Sequence, residues 1–67
     1  MRRLIGKAIM DIGEEATIIW PDGKRLEAEY VDTFGYDHIL KAKEDGREIR
    51  LTNRYIARMG ILVVKKK

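Results

Sequence analysis

ATIIWPDGKRLEAEYVDTFGYDHIL, residues 16–40, is the stretch whose reading decides the fold. At its centre Pro21-Asp22-Gly23 is a turn signal between two runs of strand-forming residues. Asp-Gly favours tight hairpins because its backbone tolerates positive φ. Ala16, Ile18 and Trp20 alternate on one side, and Leu26, Ala28 and Tyr30 on the other. That period of two belongs to half-buried strands, so the stretch reads as a β-hairpin.

Outward from the hairpin, the N-terminal side changes period. Leu4, Ile5, Ala8, Ile9 and Ile12 recur at the spacing of one helical face, with Gly13 as a C′ stop. An amphipathic helix over residues 2–12 is expected, with Gly6 a cost of about 1 kcal/mol against alanine. On the other side the alternation continues. The first strand is Thr17 to Trp20; the second is Lys24 to Asp32, with Arg25, Glu27 and Glu29 facing out. Gly35 marks a bulge or bend, His38 to Lys43 is a third strand, and Glu44-Asp45-Gly46 is a second turn. Arg47 to Leu51 is the fourth strand, Thr52-Asn53-Arg54 a tight turn or one turn of 3₁₀ helix, and Tyr55 to Val64 the last strand. The expected class is mostly β with one N-terminal helix: a five-stranded, strongly bent, SH3-like small barrel. A single domain would span residues 1–64, helix 2–12 and barrel 16–64, followed by the basic tail Lys65–Lys67.

Composition narrows the function. Sixty-seven residues make a small core, and oligomerisation is the natural supplement because the chain has no cysteine. Without cysteine, and with one histidine, neither a disulfide framework nor a thiolate or multi-histidine metal site is available. The absence of cysteine fits a reducing cytoplasmic setting. No apolar run is long enough for a membrane span. Gly6, Lys7 and Asp11 break the short apolar segment after Met1-Arg2-Arg3, against a signal peptide.

The chain contains no serine and no glycine-rich phosphate loop, and its acidic pairs Glu14-Glu15 and Glu44-Asp45 sit beside turns. No enzyme, catalytic residue or cofactor is expected, and His38, in the core or at the strand edge, reads as a structural or surface residue. Binding is better supported. The charge is +3 with 37% charged residues, which permits nucleic-acid binding without demanding it. Single strands are held by aromatic rings that stack bases and by cations that track phosphates. Tyr36 at the Gly35 bend, and Asn53 and Arg54 in the polar turn, are candidates at loop positions. Lys24 and Arg25 flank the first turn and are weaker candidates. Tyr30 and Trp20 read as core or subunit contacts, while Glu27 and Glu29 would repel phosphate from their face.

The order of these elements resembles the Sm-like family, and within it the Hfq branch of RNA chaperones. Asp22-Gly23-Lys24-Arg25-Leu26-Glu27-Ala28-Glu29-Tyr30, continued to Leu40-Lys41, is similar to the first Sm motif. Leu51-Thr52-Asn53-Arg54-Tyr55-Ile56-Ala57-Arg58-Met59 resembles the second. Thr33-Phe34 stands where the family has Phe-Asp, Thr52-Asn53-Arg54 where the Hfq branch has Tyr-Lys-His, and Met10-Asp11-Ile12 lacks its basic rim. Ile19 replaces the distal tyrosine, whereas Tyr36 matches the uracil-contacting aromatic. The resemblance implies a homo-oligomeric ring, hexamer or heptamer, joined through strands four and five. Its implied partner is single-stranded, U-rich RNA bound near the pore through Tyr36 and Arg54. Two other readings stay open: a monomeric SH3-like or KOW-type module for nucleic acid or protein, and a structural ring with no RNA site.

Overall fold

The computed structural model describes residues 2–66 and contains two antiparallel sheets and one short helix. A two-stranded hairpin pairs β1 (Arg2–Ile5) with β2 (Ala8–Asp11). The larger sheet has β3 (Glu15–Ile19), β4 (Arg25–Phe34), β5 (Asp37–Ala42), β6 (Glu48–Thr52) and β7 (Leu62–Lys65), in the spatial order β6-β5-β4-β3-β7. A helix, α1 (Asn53–Met59), joins β6 to β7. Ile5 and Met10 from the hairpin, Ala16 and Ile18 from β3, Ala28 and Tyr30 from β4, and Leu40 from β5 are fully buried in one core.

The expected hairpin around Pro21-Asp22-Gly23 is present, and its turn is longer than a two-residue loop. The Gly23 N–H donates to Trp20 O at 2.9 Å, and the Trp20 N–H to Lys24 O at 2.9 Å. Gly23 alone carries positive φ, at 94°, so Pro21-Asp22 make an ordinary turn and glycine supplies the bulge that returns the chain. At the far end of β4 the alternation breaks. Tyr30 opposes Leu40 and Asp32 opposes Ile39, so Val31 is an inserted residue.

The expected helix over residues 2–12 is corrected to the β1–β2 hairpin. Helical spacing would bury Leu4, Ile9 and Ile12 together, yet all three are exposed, and Ile5 with Met10 enter the core instead. Gly6 is the reason. At φ 62° it forms a two-residue turn with Lys7, closed by the Ile5–Ala8 pair. Glycine first in a two-residue turn suits a hairpin, whereas glycine inside a short helix weakens it.

The last expected strand, Tyr55 to Val64, is corrected in its first half to helix. Thr52 is the N-cap, its hydroxyl accepting from the Tyr55 N–H at 3.0 Å. Gly60 ends the helix in left-handed conformation at φ 70°, and the Ile61 N–H reaches Ile56 O at 3.0 Å. Ile56 is the one buried residue of α1. Lys65 belongs to β7 and pairs with Glu14 at 2.8 Å, while Lys66 reaches Glu27 at 2.9 Å. Lys67 lies outside the described residues.

Gly60→Ala is expected to destabilise the protein by about 1–2 kcal/mol, the left-handed penalty for a residue with a Cβ. Its Cβ would also stand 3.4 Å from Pro21 Cγ. Urea unfolding of the two proteins measures the difference.

Candidate functional site

The β4–β5 connection is a two-residue turn, Gly35-Tyr36, closed by the Phe34–Asp37 pair. Gly35 at φ 60° takes the left-handed position and leaves Tyr36 at the tip, 91% exposed. Below the tip lies a groove of about 590 Å³ lined by residues from β1, β4, β5, β6 and α1. Arg3 and Leu4, Thr33 and His38, and Thr52, Asn53 and Arg54 line it together with Gly35 and Tyr36. Three of the residues singled out in the sequence, Tyr36, Asn53 and Arg54, therefore share one cavity. Among the described residues neither Arg3 nor Arg54 is held in an ion pair.

The groove is held in shape by a chain of hydrogen bonds. Asn53 Oδ1 accepts the Gly6 N–H at 2.8 Å, and Asn53 Nδ2 donates to Leu4 O at 2.8 Å. These two backbone groups decide which way the amide points. Oδ1 can only accept, so the His38 Nε2 that meets it at 3.1 Å carries the proton. His38 Nδ1 is then the acceptor for the Tyr30 hydroxyl at 2.9 Å. Asn53 thus has structural work at the groove floor: it fastens the β1–β2 hairpin to α1 and to the core. Arg3 and Arg54 are the immediate chain neighbours of residues it joins.

Burial pushes the His38 pKa below its ordinary value of 6.5, and the nearby Arg3 charge pushes the same way. The Asn53 hydrogen bond and the Asp37 carboxylate oppose this and are outweighed. Protonation would also give Nδ1 a hydrogen directed at the Tyr30 oxygen, forcing that buried hydroxyl to turn its own proton elsewhere.

Lys24 and Arg25 are not part of this site. They line a separate depression of about 440 Å³ with Trp20, Asp22, Leu26 and Arg47. It lies at the opposite end of the ten-residue β4, and it shares no lining residue with the groove. The face carrying Glu14, Glu15 and Glu27 is closed by lysines: Lys65 on Glu14, Lys43 on Glu15, Lys66 on Glu27. Each of these carboxyl pKa values is lowered, chiefly by the Asp11 backbone N–H for Glu14 and by the lysine hydrogen bond for the other two.

Sequence reasoning missed Arg3 and Phe34. A helix over residues 2–12 would have carried Arg3 away from Tyr36, and only the hairpin turn at Gly6 brings it back. Phe34 is 68% exposed beside the tip, and the signal that could have found it is the glycine after an apolar residue at a bend. Among the described residues no three His, Asp or Glu side chains cluster as a metal site requires. No described helix is long and apolar enough to cross a membrane. Comparison with protein-family models, curated proteins and solved structures returns no match for this chain.

Two outcomes follow for the groove floor. Because the folded pKa of His38 lies below the unfolded one, its contribution is present in full above about pH 6.5 and is lost as pH falls through the folded value. Melting temperature should therefore drop from pH 7 to pH 5 more steeply in the natural protein than in His38→Gln. Asn53→Ala should cost about 1–2 kcal/mol in urea unfolding, since water can replace part of its exposed bonding.

Proposed function

We propose that this chain is a non-catalytic, single-stranded RNA-binding protein with the SH3-like barrel of the Sm-like proteins, working as a homo-oligomeric ring in the cytoplasm. The observation that carries the binding claim is the junction of Tyr36, Arg3 and Arg54 in one groove. A nearly fully exposed tyrosine offers its ring to a base, and two unpaired guanidinium groups offer charge to the adjoining phosphates. The groove has no carboxylate in its lining. The likeness of Tyr36 to the uracil-contacting aromatic of the family favours U-rich strands.

The ring has separate support. β6 and β7 are the outer strands of the larger sheet, and an exposed edge is a liability that pairing with a neighbour removes. Joining β6 of one copy to β7 of the next is a heterologous contact that closes cyclically. Leu62 and Val64 on β7 are half-exposed apolar side chains suited to such a contact. The monomeric reading loses support from Lys65 and Lys66, which are occupied by Glu14 and Glu27.

Light scattering should give a mass six or seven times the 7.8 kDa of one chain. In fluorescence anisotropy with labelled oligouridine, Tyr36→Ala should weaken binding by about 1–3 kcal/mol. Arg54→Ala should weaken it and lower the slope of log affinity against log salt by about 0.7, one phosphate contact on a single strand. The double variant Lys24→Ala, Arg25→Ala should leave the site's affinity within about twofold. Unchanged affinity in both Tyr36→Ala and Arg54→Ala would remove the groove as the site, and a mass of one chain would remove the ring.

A further inference from the structure

Phe34 sits where a regular strand would have buried it. Ala28 and Tyr30 face the core and are fully buried, and unbroken alternation along β4 would put Asp32 and Phe34 on that same face. The inserted Val31 reverses the alternation, so that Thr33 opposes the buried His38 and Phe34 opposes Asp37 on the outer face. The bulge therefore removes a large apolar ring from the core side and turns it toward water. Bulges that re-aim a side chain are concentrated beside functional sites. A local rule broken with no gain in packing marks such a site more often than a defect.

The surroundings indicate what the ring is for. Phe34 and Tyr36 are 68% and 91% exposed, and no aromatic ring among the described residues stacks on either. Their Cα atoms, two residues apart, are separated by at most about 7 Å. A stacked single strand advances about 3.4 Å per nucleotide, so side chains rooted this close together are within reach of different bases of one short strand. Asp32 and Asp37 lie beside Phe34, and neither lines the groove. Arg50 stands 3.9 Å from the Asp37 carboxylate, whereas Asp32 carries no cation among the described residues and keeps phosphates from its side; Arg3 and Arg54 draw them to the groove side. A base can reach across the tip where its phosphate cannot. Phenylalanine has no polar atom with which to select a base, so its contribution is stacking alone.

Resting on the reading of the groove as a single-strand RNA site, we propose that Phe34 is a second base-stacking platform. The β4–β5 tip then holds two bases of one strand, one on Tyr36 at the groove and one on Phe34 outside it.

The test is anisotropy with a labelled oligouridine hexamer, alone and as a set with one abasic nucleotide at each position in turn. Phe34→Ala should weaken binding about tenfold, and Phe34→Trp should retain it. Melting temperature and assembly mass should stay unchanged, because the side chain lies outside the core. With the abasic nucleotide at one particular position, the loss caused by Phe34→Ala should vanish, because the base it stacks is already missing. At a different position the same should hold for Tyr36→Ala. Phe34→Ala binding within about twofold of the natural protein, with Tyr36→Ala still impaired, would overturn the second platform and leave the groove standing. A change in assembly mass accompanying the loss would overturn it in favour of a protein contact. No binding by the natural protein would overturn the groove and the platform together.

Discussion

The chain of hydrogen bonds from Tyr30 through His38 to Asn53 is the constraint on which the rest of this small structure depends. It starts in the core on β4, crosses to β5, and ends at the first turn of α1. From there Asn53 reaches two backbone groups of the β1–β2 hairpin. The β4–β5 pair, α1 and the β1–β2 hairpin, which are distant from one another in sequence, are thereby held in one geometry. Apolar contact alone would leave the hairpin free to slide, because Ile5 and Met10 supply burial and little direction. Directional bonds set the position of Arg3 against Arg54, and so set the width of the groove. No buried side-chain nitrogen or oxygen among the described residues lacks a partner, as a polar network inside a core requires.

Charge is distributed so that this geometry has a use. On the β3–β7 side the acids and the C-terminal lysines cancel one another in pairs, and exposed pairs of this kind contribute little to stability. Their effect is on the field: they leave that side nearly neutral. At the groove no carboxylate is in the lining, and among the described residues neither arginine is held in an ion pair. The groove thus keeps the charge of both arginines in a chain of modest net charge. Tyr36 beside that site gives a flat, exposed ring, and the bulge at Val31 adds Phe34 on the other side of the same turn.

Much of the larger sheet was legible in the primary structure. Alternation from Ala16 to Trp20, from Leu26 to Tyr30 and from His38 onward located β3, β4 and β5 within a few residues, because each of these strands buries one face. Ile49 and Leu51 did the same for β6. The turns at Gly23, Gly35 and Gly46 were legible because each needs positive φ. The segments that misled are those whose apolar residues fit two periods at once. Leu4, Ile5, Ala8 and Ile9 satisfy a helical face, yet as Leu4–Ile9 and Ile5–Ala8 they satisfy cross-strand pairing equally well. Tyr55 to Met59 has strand-forming residues and no alternation, and Thr52 and Gly60 at its ends were the caps that should have decided for helix.

By itself the amino-acid sequence determined the hairpin of residues 16–40, the predominance of strands, the outward placing of Glu27 and Glu29, and Tyr36 as an exposed aromatic at a bend. These follow from local preferences: φ at glycine, the period of two, and the hydropathy of neighbouring residues. Tertiary structure alone decided that Arg3 would share a groove with Arg54, that Asn53 would fasten the hairpin beside it, that Lys24 and Arg25 would lie at the other end of β4, and that Phe34 would turn outward. Each of these depends on contacts across dozens of residues or on a single inserted residue that reverses a strand's parity. Periodicity carries no information about which distant elements will meet. That choice is made by the packing of the whole core and by the few hydrogen bonds that give it direction.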